Sequence, residues 1–213
     1  MTIFLERRHL LIDPLHQTAP ALFLDRDGVV IEDCHHLSNP DQVRLCCGAR
    51  QLIASANRQG WPVVLITNQS GIARGLFQWR HFEMVNERMQ QLLGDDAPLA
   101  AIYANGHGPD APVSSWRKPS PQMLLEAARA LNLDLKESLL VGDRLSDLQA
   151  GAAAGLKIVF HVLSGHGPRA RASALHWHEQ CLKAQDTSEI SAQRVSALKL
   201  LDTLEDFPLS LLK

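Results

Sequence analysis

Five short, unbroken apolar runs, separated by stretches of helical period, constrain this chain more than any other feature. They are Ala21–Leu24, Pro62–Thr67, Ala100–Tyr103, Ser138–Val141 and Lys157–His161. Runs of this kind read as strands buried on both faces, as in a parallel sheet. Between them lie helical candidates over residues 48–59, 79–93, 120–131 and 146–154. Ser120 before Pro121 predicts an N-cap with proline in the first turn, and Ser146 predicts the cap of the following helix. Gly60, Gly94 and Gly155 stand where three helices should stop. Strands alternating with helices predict an α/β, doubly wound domain over about residues 18–165.

Outside that span the pattern weakens. Residues 1–17 lack a clear period and read as an extension on the sheet edge. Residues 165–192, rich in Gly, Arg, His and Gln, read as an irregular connection. Asp202 with Glu205 predicts a capping box before a short final helix ending at Leu212. A length of 213 residues suits one domain comprising the whole chain, 1–213.

Composition removes several function classes. Lys+Arg 21 against Asp+Glu 23 leaves a formal charge of −2, so there is no basic field for nonspecific nucleic-acid binding. No apolar run is long enough to span a bilayer. Glu6, Arg7, Arg8 and Asp13 interrupt the first residues, where a signal peptide would need an apolar core. Cys34, Cys46, Cys47 and Cys181 show no CxxC spacing. The expectation is a reduced, cytoplasmic, monomeric protein with neither membrane nor nucleic-acid partner.

Ligands of open α/β sheets bind beyond the carboxyl ends of the strands. After the first run comes Asp25-Arg26-Asp27-Gly28, whose two carboxylates point the same way on extended backbone. The second run ends in Thr67-Asn68-Gln69-Ser70-Gly71, and the fourth is followed by Gly142-Asp143-Arg144-Leu145-Ser146-Asp147. Asp25, Asp27 and Asp143 make an oxygen donor set suited to Mg²⁺. A carboxylate can also attack phosphorus, with a second one moving the protons. Thr67 and Lys118 supply the hydroxyl and the cation that phosphoryl oxygens require. Lys118 precedes a helix start, which brings its charge and the helix N-terminus toward one anion.

Asp25-x-Asp27-Gly28, Thr67, Lys118-Pro119 and Gly142-Asp143-x(3)-Asp147 resemble, in order, the four motifs of the haloacid dehalogenase-like superfamily. The resemblance covers about residues 19–165. It implies a Rossmann-like three-layer α/β/α sandwich and a Mg²⁺-dependent phosphatase. By it Asp25 is the nucleophile, Asp27 the general acid/base, Thr67 and Lys118 the phosphoryl holders and Asp143 a metal ligand. Asp147 would support the site from behind, or only cap its helix. The intervals from Asp27 to Thr67 and from Thr67 to Lys118 leave no room for a sizeable cap domain, so the member expected is capless.

Leu24–Gly28, Thr67-Asn-Gln-Ser-Gly-Ile-Ala-Arg-Gly75, Arg117-Lys-Pro119 and Val141–Arg144 are similar to one branch of that superfamily. That branch acts on D-glycero-D-manno-heptose 1,7-bisphosphate and on histidinol phosphate. The resemblance implies a small phosphorylated sugar as substrate, the heptose bisphosphate first and histidinol phosphate or another small phosphomonoester as the alternative. It makes Asp33, His36, Asn68, Gln69, Ser70, Arg117 and Arg144 substrate contacts, the two arginines suiting a second phosphate. The branch usually carries a zinc loop of Cys-x-His…Cys-x-Cys type before the Arg-Lys-Pro. Here residues 103–116 contain no cysteine and only His107, so no zinc is expected in the protein. Packing by Pro109, Pro112 and Trp116 is expected to hold that loop instead.

His35, His176 and His178 read more simply as solvated side chains, and Trp61, Trp79 and Phe82 as packing residues. Arg74 is balanced between meeting a phosphate and capping its loop.

Overall fold

The computed structural model describes residues 5–187 and 196–213. Seven strands form one sheet: β1 (Glu6–Leu10), β2 (Leu22–Leu24), β3 (Val63–Asn68), β4 (Ala101–Asn105), β5 (Leu139–Gly142), β6 (Ile158–Val162) and β7 (Ala197–Leu201). Their order is β1-β4-β3-β2-β5-β6-β7. All neighbours run parallel except β1, which pairs antiparallel with β4, Glu6 opposite Asn105.

Successive side chains of each central strand enter opposite layers, as the pleat requires. Leu22, Leu24, Val63, Leu65, Ile102, Leu139, Val141 and Phe160 pack beneath α1 (Ala49–Arg58) and α2 (Trp79–Leu93), against Leu52, Ile53, Phe82, Val85 and Met89. Phe23, Val64, Ile66, Tyr103, Leu140 and Val159 pack on the other face. There they meet α3 (Gln122–Leu131), α4 (Leu145–Ala153) and α5 (Gly167–Thr187) through Met123, Leu124, Leu148 and Ala174. The result is the α/β/α sandwich expected from the sequence. Among the described residues, nothing larger than a loop joins β3 to α2 or β4 to α3.

Four readings need correction: α3 starts at Gln122 with Pro121, not Ser120, at its N-cap position and no side-chain cap. Gly167–Thr187 is a continuous helix, not an irregular connection; the last residues of that predicted stretch, 188–192, lie outside the described residues, as do 1–4 at the start of the N-terminal extension. The final helix is two 3-10 turns, Leu204–Asp206 and Leu209–Leu211, and its cap is Thr203 with Asp206. Phe207 closes on Phe160, ring centroids 4.8 Å apart, and Leu204 and Leu212 are buried beside it. Finally, α4 starts at Leu145, and the Asp147 carboxylate, not Ser146, caps it by accepting the Arg144 N–H at 2.9 Å.

Candidate active site

The carboxyl ends of β2, β3 and β5 and the loop after β6 meet along one edge of the sheet, where they wall a cleft of about 500 Å³. Asp25 leaves β2 with its N–H bonded to the Val141 carbonyl of β5. Its Oδ1 accepts the Arg26 N–H at 2.7 Å and lies 2.9 Å from Lys118 Nζ. Lys118 Nζ also meets Asp147 Oδ1 at 2.7 Å and donates to the Ile66 carbonyl at 2.9 Å. Asp143 is fully buried; its Oδ2 accepts the His166 N–H at 2.7 Å, whereas Oδ1 has no hydrogen-bond partner. Gly28 and Gly165 make room for this carboxylate, since a Cβ on either would fall about 2.5 and 2.4 Å from Asp143 Oδ2.

Charge on this floor is out of balance. Burial, offset in part by Lys118 and reinforced by Asp147 and Asp27, pushes Asp25 up to about 7. Burial, then Asp25 and Asp147, push Asp143 up to about 8. Burial opposes the Lys118 charge, but Asp147 and Asp25 outweigh it and hold the ammonium above its usual range. Three carboxylates around one ammonium leave uncompensated negative charge. Asp25, Asp143 and Asp147 each place a ligand atom within 4.8 Å of the others. With Asp143 Oδ1 unpartnered, this is a donor set that fits a hard divalent cation.

Asp27 stands apart from that set, contrary to the sequence expectation that its carboxylate joins Asp25 and Asp143. The buried Arg26 grips both its oxygens at 3.1 Å, and Gln69 Nε2 donates to Oδ2 at 2.7 Å. Asp147 takes its place among the grouped acids, although both Asp147 oxygens are already engaged, by Lys118 and by the Arg144 N–H. Arg26 itself is anchored by Asn86 Oδ1 at 2.9 Å and by the Phe82 ring at 4.9 Å.

The remaining expected residues divide between the wall and its scaffold. Thr67 Oγ1 accepts from Gln69 Nε2 at 2.8 Å and lies 3.5 Å from Asp27. Asn68 turns its amide onto the Lys118 backbone, accepting its N–H at 3.1 Å and donating to its carbonyl at 3.2 Å. This fixes the lysine loop. Ser70, His36, Asp33, Arg117 and Arg144 all line the cleft. Arg117 donates to the His107 carbonyl at 3.0 Å, and burial together with Arg144 lowers its proton affinity. His36 Nε2 lies 3.3 Å from Arg74. His107 faces Glu6 at 3.9 Å, and Trp116 packs on Tyr103, ring centroids 5.6 Å apart.

Sequence reasoning missed Arg26 and His166. Arg26 occupies the middle of the Asp-x-Asp motif, the position a pattern leaves blank. His166 acts through its backbone N–H, which no residue type signals.

The family model for haloacid dehalogenase-like hydrolases matches residues 4–155. A D-glycero-beta-D-manno-heptose-1,7-bisphosphate 7-phosphatase of Mesorhizobium japonicum is 48% identical over 161 residues, 72% of this chain and 73% of that protein. The protein of the same name from Escherichia coli K12 is 38% identical over 147 residues, 66% of this chain and 77% of its own. Among solved structures, the D,D-heptose 1,7-bisphosphate phosphatase of B. bronchiseptica, complexed with magnesium and phosphate, superimposes with a TM-score of 0.69 at 32% identity. That match covers 87% of this chain and 93% of the other. Motif order, sheet topology, the acid-and-lysine floor and these likenesses agree: the chain belongs to the haloacid dehalogenase-like hydrolases.

Proposed function

We propose that this protein is a magnesium-dependent phosphatase that removes the 7-phosphate of D-glycero-D-manno-heptose 1,7-bisphosphate, leaving the 1-phosphate. One observation carries the catalytic reading: Asp25 sits at the foot of an open cleft with its Oδ1 held by Lys118 and Arg26 N–H. Its other oxygen is left for attack. Oδ2 forms a bond to phosphorus as the bond from phosphorus to the sugar oxygen breaks, and Asp27 gives that oxygen its proton. Asp27 then takes a proton from water, whose oxygen attacks phosphorus and frees phosphate and the Asp25 carboxylate. Arg26 and Gln69 fix the direction from which Asp27 works in both halves. Lys118 and Thr67 hold the phosphoryl oxygens. Asp25 and Asp143 would hold Mg²⁺, with Asp147 behind them; the ion supplies positive charge to the transferring phosphoryl group.

Arg117 and Arg144 support the bisphosphate. Two like charges close enough to disturb one another in a single cleft are reconciled by an anion between them, and a second phosphate is that anion. No helix among the described residues is long and apolar enough to cross a membrane, in keeping with a cytoplasmic enzyme.

The test is kcat/KM on heptose bisphosphate, histidinol phosphate and p-nitrophenyl phosphate. The heptose bisphosphate is expected to lead by at least about tenfold, and Asp25→Asn to lower all three by at least about a thousandfold with the fold intact. Equal rates on the three would remove the heptose assignment. A variant that keeps substantial turnover would remove Asp25 as nucleophile.

A further inference from the structure

A second set of ligand-type side chains stands at the mouth of the cleft, apart from the acid floor. Asp33, in the loop after β2, and His166, in the loop before α5, meet with Oδ2 2.8 Å from Nε2. His35 Nδ1 lies 3.7 Å from Asp33 Oδ1, and the three ligand atoms all fall within 4.8 Å of one another. Asp33 Oδ1 also accepts the His35 N–H at 2.9 Å, so two of the three ligands are tied together before any ion arrives. The same three residues wall a second opening, with Gly165, Pro168 and Arg169, that leaves space on the outer side.

We propose that Asp33, His35 and His166 form a separate site for a borderline divalent transition cation, of which zinc and cobalt are the probes. Two imidazoles and one carboxylate are the wrong donors for Mg²⁺, which seeks oxygen alone, and the right ones for zinc or cobalt. Three protein ligands leave open positions for water or for an oxygen of the substrate. Two cations stand near the pair: Arg144, half exposed, with its guanidinium 3.9 Å from Asp33 Oδ2, and Arg169, on the wall of the outer opening. The site lies outside the cysteine-poor loop around His107, and it does not depend on the phosphatase reading.

The experiment is zinc binding by equilibrium dialysis on protein held in excess Mg²⁺, with cobalt absorption as the spectroscopic readout. One zinc per chain is expected, with visible cobalt bands of nitrogen–oxygen ligation and no thiolate charge-transfer band. His35 is largely exposed, so His35→Ala leaves the fold alone. Loss of an outer partner of a metal ligand alone costs ~10–100-fold, so this variant and His166→Ala should each weaken zinc by at least about tenfold. Cys34→Ser and Asp143→Asn should retain it. No stoichiometric zinc, zinc undiminished in His35→Ala, or zinc lost in Cys34→Ser or Asp143→Asn would each overturn the proposal. All of these readouts stand without turnover, so a failed phosphatase assignment leaves them intact.

Discussion

At the level of single side chains, Arg26 shows how much a site can rest on a residue that touches no substrate. Its buried guanidinium holds Asp27, Asn86 and the Phe82 face at once. Replacing it with methionine keeps the volume and removes the grip, leaving Asn86 Oδ1 as a buried orphan acceptor. A loss of about 1–3 kcal/mol in stability is expected. Activity should fall unevenly. A sugar phosphate needs Asp27 to protonate a poor leaving group, whereas p-nitrophenolate leaves without help, so kcat on the sugar should drop by at least about tenfold more. Parallel losses on both substrates would mean that Arg26 serves the fold alone. The site was legible from sequence because Asp25 and Asp143 each follow close on an apolar run and Thr67 ends one, and sheet topology sends every such end to one rim. Asp27 was legible as a residue but not in its direction, since the partner that turns it, Arg26, reads as an ordinary surface charge.

Elements were readable where burial on two faces leaves an unbroken apolar signature, which is why the central strands β2 to β6 and the helices α1 to α4 could be placed. The edges carry no such signature. β1 reads Glu-Arg-Arg-His-Leu and β7 Ala-Leu-Lys-Leu-Leu, each half exposed on an outer strand. α5 buries few side chains, Ala174 completely and Trp177 in part, so its sequence shows no apolar stripe to betray it. Arg171 ties it to the sheet. Its Nε donates to His161 Nδ1 at 2.9 Å and its Nη2 to the Leu201 carbonyl at 2.5 Å, joining α5 to β6 and β7. Arg171→Leu strands these acceptors, at a cost of about 1–3 kcal/mol. Thermal unfolding should shift down by roughly 2–4 °C per kcal/mol for a chain of this size. Amide exchange should quicken first in Ala197–Leu201; uniform quickening across the sheet would contradict a local tie.

For the molecule as a whole, the floor acids couple stability to acidity and to cation supply. Asp25 at about 7 and Asp143 at about 8 both stand above the ordinary 3.8. The folded chain therefore binds protons that the unfolded chain releases, and this stabilisation is fully present below about pH 4 and lost as pH rises through 7 to 8. Other groups set the absolute curve, so the measurable quantity is the difference a cation makes. Mg²⁺ competes with those protons, and its addition should raise the unfolding temperature far more at about pH 8.5 than at about pH 5. An equal rise at both would contradict the coupling. The floor and the rim are also joined by the chain itself. Arg144 and His166 present side chains to the cleft, while their main-chain N–H groups hold Asp147 and Asp143. Any residue but proline has that N–H. Both side chains can therefore be exchanged over generations without disturbing the acids below, and a lineage can change what it dephosphorylates while inheriting the chemistry intact.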